Sequence, residues 1–273
     1  MSQVQAKRIE EKPLGLIQRL IIVIGIVFVL GMSFWLIWID SHRIFPIVMY
    51  HHIDLLDKFE VATIPPERFE KHLQYLAKNR FDVLTMDELI AAKKSSQPLS
   101  RKTVALTFDD GYLDNFTYAF PLLKKYGFKA TMFVSSDMVG QPGYMDWNQL
   151  REMREYGIVI GSHTRRHKYL PDLTQEELLD EIVNSRKLLQ EKLNFPVDHF
   201  SYPVGGFNAK IKEIVQKSGY LSAVSTNRGY DRYNKDLFEL KRVTIDEQDN
   251  FGAIRWAKFS GYYNLFRKPR KPE

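Results

Sequence analysis

The sequence predicts an α/β protein built on a parallel sheet and preceded by one membrane-spanning helix. Three observations point there. Between residues 45 and 218, short apolar and β-branched runs alternate with amphipathic ones, the pattern of strands joined by crossover helices. One such run, Val104-Ala105-Leu106-Thr107-Phe108, ends abruptly in Asp109-Asp110-Gly111, as a buried strand does when it delivers acids to its C-terminal rim, where α/β folds carry chemistry. Residues 20–39 carry no charge at all. A helix of that length, at about 1.5 Å per residue, crosses the roughly 30 Å hydrocarbon core of a bilayer.

In chain order, residues 1–19 form an N-terminal segment whose Lys7, Arg8, Lys12 and Arg19 keep it in the cytoplasm by the positive-inside rule. Residues 20–39 are the transmembrane signal anchor, ending in Trp35 and Trp38 as an aromatic belt before Asp40. An uncleaved anchor is favoured over a cleaved signal peptide, because Gly31-Met32-Ser33-Phe34-Trp35 offers no small-residue cleavage site. The rest of the chain is therefore expected outside the cytoplasmic membrane. Residues 40–100 read as a first strand and lead-in helices. Phe45 to Tyr50 is a strand, Phe69, Leu73 and Leu76 recur at helical spacing after Pro65-Pro66, and Thr85-Met86-Asp87-Glu88 is a capping box. A polar loop follows from Lys93 to Ser100.

Residues 101–250 hold the main alternation: strands at 104–108, 130–134, 158–161 and 199–202, and helices at 115–126, 147–156, 174–193 and 208–218. This pattern fits a barrel and an open doubly wound sheet equally. Residues 251–273 form an aromatic tail that turns basic at Arg267, Lys268, Arg270 and Lys271. It reads as a docked turn with a solvated end in preference to a membrane-surface segment.

Composition narrows the function. The net charge of +6 is dispersed except at the two ends, which argues against a nucleic-acid partner. The absence of cysteine excludes a disulfide framework and a thiolate zinc site. Neighbouring side chains on an extended segment face opposite ways, so Asp109 and Asp110 are expected to play different roles. A second cluster, Gly161-Ser162-His163-Thr164-Arg165-Arg166-His167, follows the apolar run Ile158-Val159-Ile160. Two imidazoles and a carboxylate suit zinc, and Asp110, His163 and His167 supply the three protein ligands of an open site.

Thr-Phe-Asp-Asp-Gly followed by Ser-His-Thr-x-x-His resembles the polysaccharide deacetylases of the NodB-homology type, carbohydrate esterase family 4, over about residues 45–243. The resemblance implies a distorted, incomplete (β/α)7-type barrel behind the transmembrane helix, so that residues 101–250 form a NodB-like deacetylase core. It implies Asp109 as catalytic base, and Asp110, His163 and His167 as ligands of one divalent metal ion, with zinc ahead of cobalt and nickel. It further implies hydrolysis of N-acetyl groups on an N-acetylglucosamine-containing polysaccharide.

Phe200-Ser201-Tyr202-Pro203-Val204 is similar to the family's third motif, with Ser201 where an arginine is usual and Val204 where a tyrosine is usual. The Val204 backbone N–H remains a donor to an oxyanion, and Tyr202 and Pro203 are expected among the substrate-binding positions. Arg242, in Leu240-Lys241-Arg242-Val243, is the candidate to replace the missing arginine beside Asp109. The family's late Leu-x-His motif is absent, since no histidine follows His199. Met49-Tyr50-His51-His52 resembles the poly-N-acetylglucosamine deacetylases, which place the histidine acid after the first strand. His51 is thus the expected acid and His52 the runner-up, while His42, His72 and His199 read as structural. Tyr112 and Trp147 are expected to stack on sugar rings. The competing functions are an O-acetyl esterase on a xylan-like glycan and a catalytically inactive glycan-binding module.

Overall fold

The computed structural model describes residues 15–41, 43–55, 62–95, 99–226, 234–245 and 252–263. Lys7, Arg8, Lys12, His42 and the basic residues 267–271 lie outside them. The chain divides into two compact units, residues 1–43 and 44–273.

In the first unit, helix α1 (Leu16–Ser41) runs for 26 residues with none of them buried. At about 1.5 Å per residue it is about 39 Å long, and it is long and apolar enough to cross a membrane.

The second unit begins with strands β1 (Ile47–Tyr50), β2 (His52–Ile53) and β3 (Thr63–Ile64), helix α2 (Pro66–Lys78), β4 (Asp82–Leu84) and α3 (Met86–Lys94). Strand β5 (Thr103–Phe108) follows, then a π-turn at Asn115–Ala119 running into α4 (Phe120–Tyr126), and β6 (Thr131–Val134). After α5 (Trp147–Tyr156) and β7 (Val159–Ser162) comes α6 (Gln175–Leu179), which a second π-turn, Asp180–Asn184, joins to α7 (Ser185–Leu193). The chain continues through β8 (His199–Ser201), α8 (Ala209–Lys217), β9 (Ser222–Ser225), β10 (Leu240–Lys241) and β11 (Val243–Thr244) to α9 (Gly252–Ser260). Thr85 and Thr174 both form the capping boxes their sequences announce.

All sheet pairings are parallel, in the order β10-β9-β8-β7-β6-β5-β1-β11, with β4 beside the first half of β5. Every residue of β5, β6 and β7 is buried, as strands covered on both faces must be. The stretch 240–244 closes the ring. Leu240 and Lys241 pair with β9, and two residues later Val243 and Thr244 pair with β1. Counted as one kinked strand, this stretch completes a ring of seven strands, and β4 beside β5 makes eight, a nearly closed barrel of the expected kind.

Ile47, Ala105, Phe133, Val224 and Leu240 come from strands all around the ring yet form one cluster with Met86, Leu89 and Ile90. They therefore meet across the barrel interior, with α3 plugging the N-terminal end. There the Met86 N–H donates to Thr131 Oγ1 at 3.0 Å, and buried His199 bonds Asp87 at 2.7 Å and Ser222 at 2.8 Å. His199 is thus a structural histidine. The C-terminal strand ends are left for chemistry.

Helix α2 buries Phe69, His72, Leu73 and Leu76 on one face. His72 lies against Phe259 of α9 and 3.3 Å from the Tyr50 hydroxyl, so part of the expected tail is core. Burial, with the charges of Arg255, Lys258 and Arg68, pushes the His72 pKa from 6.5 down to about 4. Between those values the unfolded chain holds a proton that the folded one refuses, so stability falls as pH drops from 6.5 to 4. Denaturant titrations at pH 7 and pH 5 are expected to differ by about 2 kcal/mol from this group. His72→Gln should remove that part of the difference.

Candidate active site

Strand β5 keeps its ladder with β1 as far as the Asp109 N–H, which donates to the Tyr50 carbonyl at 3.1 Å. Asp110 (φ 71°) and Gly111 (φ 82°) then take the left-handed conformation in succession. A Cβ on Gly111 would meet Val134 Cγ1 at 2.7 Å, so both the turn and the close approach call for glycine. The turn corrects the expectation that the two aspartates face opposite ways. Once Asp110 leaves the extended region, strand alternation no longer applies, and both carboxylates approach His163 Nε2, at 3.8 Å for Asp109 and 3.4 Å for Asp110.

Asp110 Oδ1 also lies 3.2 Å from His167 Nε2. The three ligand atoms of Asp110, His163 and His167 lie within 4.8 Å of one another, one group of metal-ligating type among the described residues. Their chemistry fits a divalent cation. His163 Nδ1 is 2.8 Å from the Ser201 carbonyl, which only accepts, so Nδ1 carries a proton and Nε2 is the nitrogen left to meet a cation. Burial alone would raise the Asp110 pKa. The hydrogen bond and charge of His163, with His167, outweigh it and hold the carboxylate well below its usual range. His163 is buried while the His167 side chain is 39% exposed, so the group opens to solvent on the His167 side.

Asp109 is held differently. Arg242 Nη1 and Nη2 donate to its two oxygens at 2.6 and 2.5 Å, in a pair whose side chains are 0% and 1% exposed. Arg242 also donates to Ser201 Oγ at 2.9 Å and Thr107 Oγ1 at 3.2 Å, and Ser201 Oγ donates to Asp109 at 3.2 Å. Ser201, in the position where an arginine was looked for, thus hydrogen-bonds the arginine that arrives from the β10–β11 junction. Complete burial pushes the Asp109 pKa up, yet the charges of Arg242 and His163 and the Arg242 hydrogen bonds bring it below the ordinary value.

His51 and His52 separate cleanly. His52 Nδ1 bonds Asp114 at 2.5 Å and its ring stacks on Tyr112 with centroids 3.6 Å apart. His51 Nδ1 is buried with no hydrogen-bond partner. Desolvation lowers the His51 pKa, opposed in part by the charges of Asp109 and Asp110, the groups it faces.

Val204 stands at φ 55°, 64% exposed, a conformation a β-branched residue rarely adopts. Its N–H donates to no group among the described residues, while its carbonyl accepts from Thr226 Oγ1 at 2.8 Å. Asp110, Thr164, His167 and Val204 together are half of the eight non-glycine residues with positive φ among those described. Strain gathered in this way is a common mark of working sites.

Two expected substrate contacts, Tyr202 and Pro203, are buried, and a third, Trp147, is partly buried. Tyr202 is fully buried and donates its hydroxyl to the Phe238 carbonyl at 3.0 Å, and Pro203 is buried beside it, so both pack. Trp147, in the first turn of α5, packs against the core. Tyr112 stays at the rim, joined by Tyr144 at 5.2 Å through a bridge between the two backbones. Sequence reasoning missed Tyr144, whose only signal is its place after Gly143 in a loop. It also missed Asp114, which receives the Ile53 N–H at 3.1 Å besides His52 and so ties down the segment carrying His51.

A family model described as polysaccharide deacetylase matches residues 96–223. A Bacillus subtilis protein named as a polysaccharide deacetylase, YxkH, is 35% identical over 210 residues, covering 76% of this chain and 74% of its own. A poly-beta-1,6-N-acetyl-D-glucosamine N-deacetylase of Staphylococcus aureus is 22% identical over 213 residues, covering 72% and 73%. Among solved structures, the Streptococcus pyogenes deacetylase PplD in complex with acetate superposes with a TM-score of 0.71 at 27% identity, covering 82% of this chain and 98% of its own.

Proposed function

The chain belongs to the polysaccharide deacetylase family, and from that premise we propose that it is a metal-dependent hydrolase removing N-acetyl groups from N-acetylglucosamine residues of an extracytoplasmic polysaccharide. The observation that carries this reading is the placement of an ionised, arginine-paired Asp109 beside the Asp110, His163 and His167 group. A glycan-binding module has no use for a buried carboxylate that costs desolvation to keep charged. The name of the staphylococcal relative favours a poly-N-acetylglucosamine polymer.

Asp110, His163 and His167 would hold the ion, zinc being the best match to two imidazoles and a carboxylate. A divalent cation bound there supplies Lewis-acid polarisation and makes water a better nucleophile near neutral pH. Asp109, kept ionised by Arg242, takes the proton of the attacking water. The Val204 N–H, held outward by its left-handed backbone, donates to the developing oxyanion. His51, facing Asp109 and Asp110, gives a proton to the departing amine. Acetate and a free amino sugar result. Tyr112 and Tyr144 present ring faces at the rim for the sugar. Helix α1 anchors the protein, and Arg19 with the basic residues before it keeps that end cytoplasmic, so the catalytic unit is extracytoplasmic.

The test is to incubate the full-length protein in detergent with β-1,6- and β-1,4-linked N-acetylglucosamine oligomers and with acetylated xylan oligomers, with and without chelator. Acetate and free amine should appear in equal amounts from the glucosamine series and cease with chelator. Acetate without amine, from xylan alone, would make the protein an esterase. No acetate from any substrate would overturn the assignment.

A further inference from the structure

The loop from His163 to His167 carries two of the three metal-ligating side chains, yet it has no regular structure of its own, and two of its residues, Thr164 and His167, stand at positive φ. Something outside must hold it. Within the loop, Thr164 Oγ1 accepts the His167 N–H at 3.0 Å. From outside, the residues after β6 hold the loop's carbonyls, with Ser135 Oγ donating to His163, the Ser136 N–H to Thr164 and the Asp137 N–H to Arg165, and its N–H side is gripped by Glu181, 0% exposed, in the π-turn between α6 and α7. Its Oε2 accepts the Arg165 N–H at 3.0 Å and the Arg166 N–H at 2.9 Å, and its Oε1 accepts Arg166 Nε at 2.7 Å.

Ser185, one helical step further along, is also fully buried and donates to the Thr164 carbonyl at 2.9 Å. A π-turn inserts one residue into a helix and is common where side chains must be re-aimed. Here Glu181 and Ser185 both reach the same five-residue loop. The Arg165 side chain, spread between Asp137 and Asp180, adds bonds at 3.0 and 2.6 Å from the loop's outer side.

We propose that Glu181 is a positioning residue for metal binding: its carboxylate grips the Arg165 and Arg166 backbone N–H groups between His163 and His167 and so fixes the separation of the two imidazoles. This rests on the metal-site reading above. A carboxylate that accepts two consecutive backbone N–H groups holds their peptide planes at a set angle, which no side-chain ion pair on the solvent side does. Without it the Arg165 and Arg166 N–H groups lose their acceptor while the Thr164 carbonyl stays held, so the strained backbone at His167 relaxes and the imidazole nitrogens drift apart. Outer partners of metal ligands typically change affinity by about 10–100-fold when removed.

The experiment is calorimetric titration of the full-length protein in detergent with Zn²⁺ alone, at a temperature below the melting transition of every variant. Glu181→Asp, whose carboxylate stops one carbon short of the two N–H groups, is expected to stay folded and bind about 10–100-fold more weakly. Glu181→Gln keeps an oxygen acceptor for the backbone and should recover most of the affinity. Arg166→Met removes the side-chain bonds to Glu181 and Asp180 but leaves both backbone bonds, and should bind as the wild type does. Folded Glu181→Asp with wild-type affinity overturns the inference, as does Arg166→Met weakened to the same degree. If the wild type itself binds no ion, the metal-site reading falls and takes the inference with it.

Discussion

Arg242→Met is expected to lower the stability of the catalytic unit by about 3–5 kcal/mol, the usual result of leaving one member of a buried, hydrogen-bonded ion pair without its partner. Methionine fills much of the same volume, so the loss is electrostatic. The pair has no solvent to fall back on, since both side chains are buried and the guanidinium makes four hydrogen bonds to Asp109, Ser201 and Thr107. The same substitution should shift the pH dependence of the rate. With Arg242 gone, burial is left to raise the Asp109 pKa, so the acid limb of the kcat/KM profile moves to higher pH and activity at neutral pH falls. Denaturant melts and a pH–rate profile of acetate release check the two halves separately. An unchanged profile would remove Arg242 from the chemistry and leave it a structural residue.

Asp110→Ala is expected to abolish chelator-sensitive acetate release while changing stability far less. Asp110 has no buried cation of the Arg242 kind, and its partners, His163 and His167, can both become neutral. The affinity for Zn²⁺ should fall by more than the roughly 10–100-fold typical of outer partners, because a ligand itself is lost. Titration calorimetry measures the affinity, and a melting curve measures the stability. Asp110→Ala with normal metal binding would place the ion elsewhere.

Much of this was readable from residue order. Alternating runs gave the parallel sheet, and the capping boxes at Thr85 and Thr174 marked helix starts, because these signals are local. The group of Asp110, His163 and His167 was legible for a different reason: two apolar runs end one in a pair of acids and the other in two histidines four apart, so one carboxylate and two imidazoles come to neighbouring strand ends. The left-handed turn at Asp110 was not legible, since φ at one residue follows from the surrounding packing. Nor was the burial of Tyr202 and Pro203, which depends on how the segment after β8 folds back. Trp147 is partly buried against the core, and its sequence says only that an aromatic residue fits a core and a rim equally well. The short strands β2, β3, β4, β10 and β11 are only two or three residues each, too brief for any period to show. The stretch matched by the family model, residues 96–223, contains neither His51 nor Arg242. Both come to the site through the pairing of β1 with its two neighbours, a relation between distant parts of the chain.

The closure of the barrel at residues 240–244 also bears on how the protein is made. A nascent polypeptide that has emerged from the ribosome only as far as residue 239 already contains both acids and every histidine of the site. It lacks Arg242, whose charge and two hydrogen bonds help hold the Asp109 pKa down, and it lacks the two short strands that close the ring. The ring and the Asp109–Arg242 pair therefore form late, only once residues 240–244 have been synthesised.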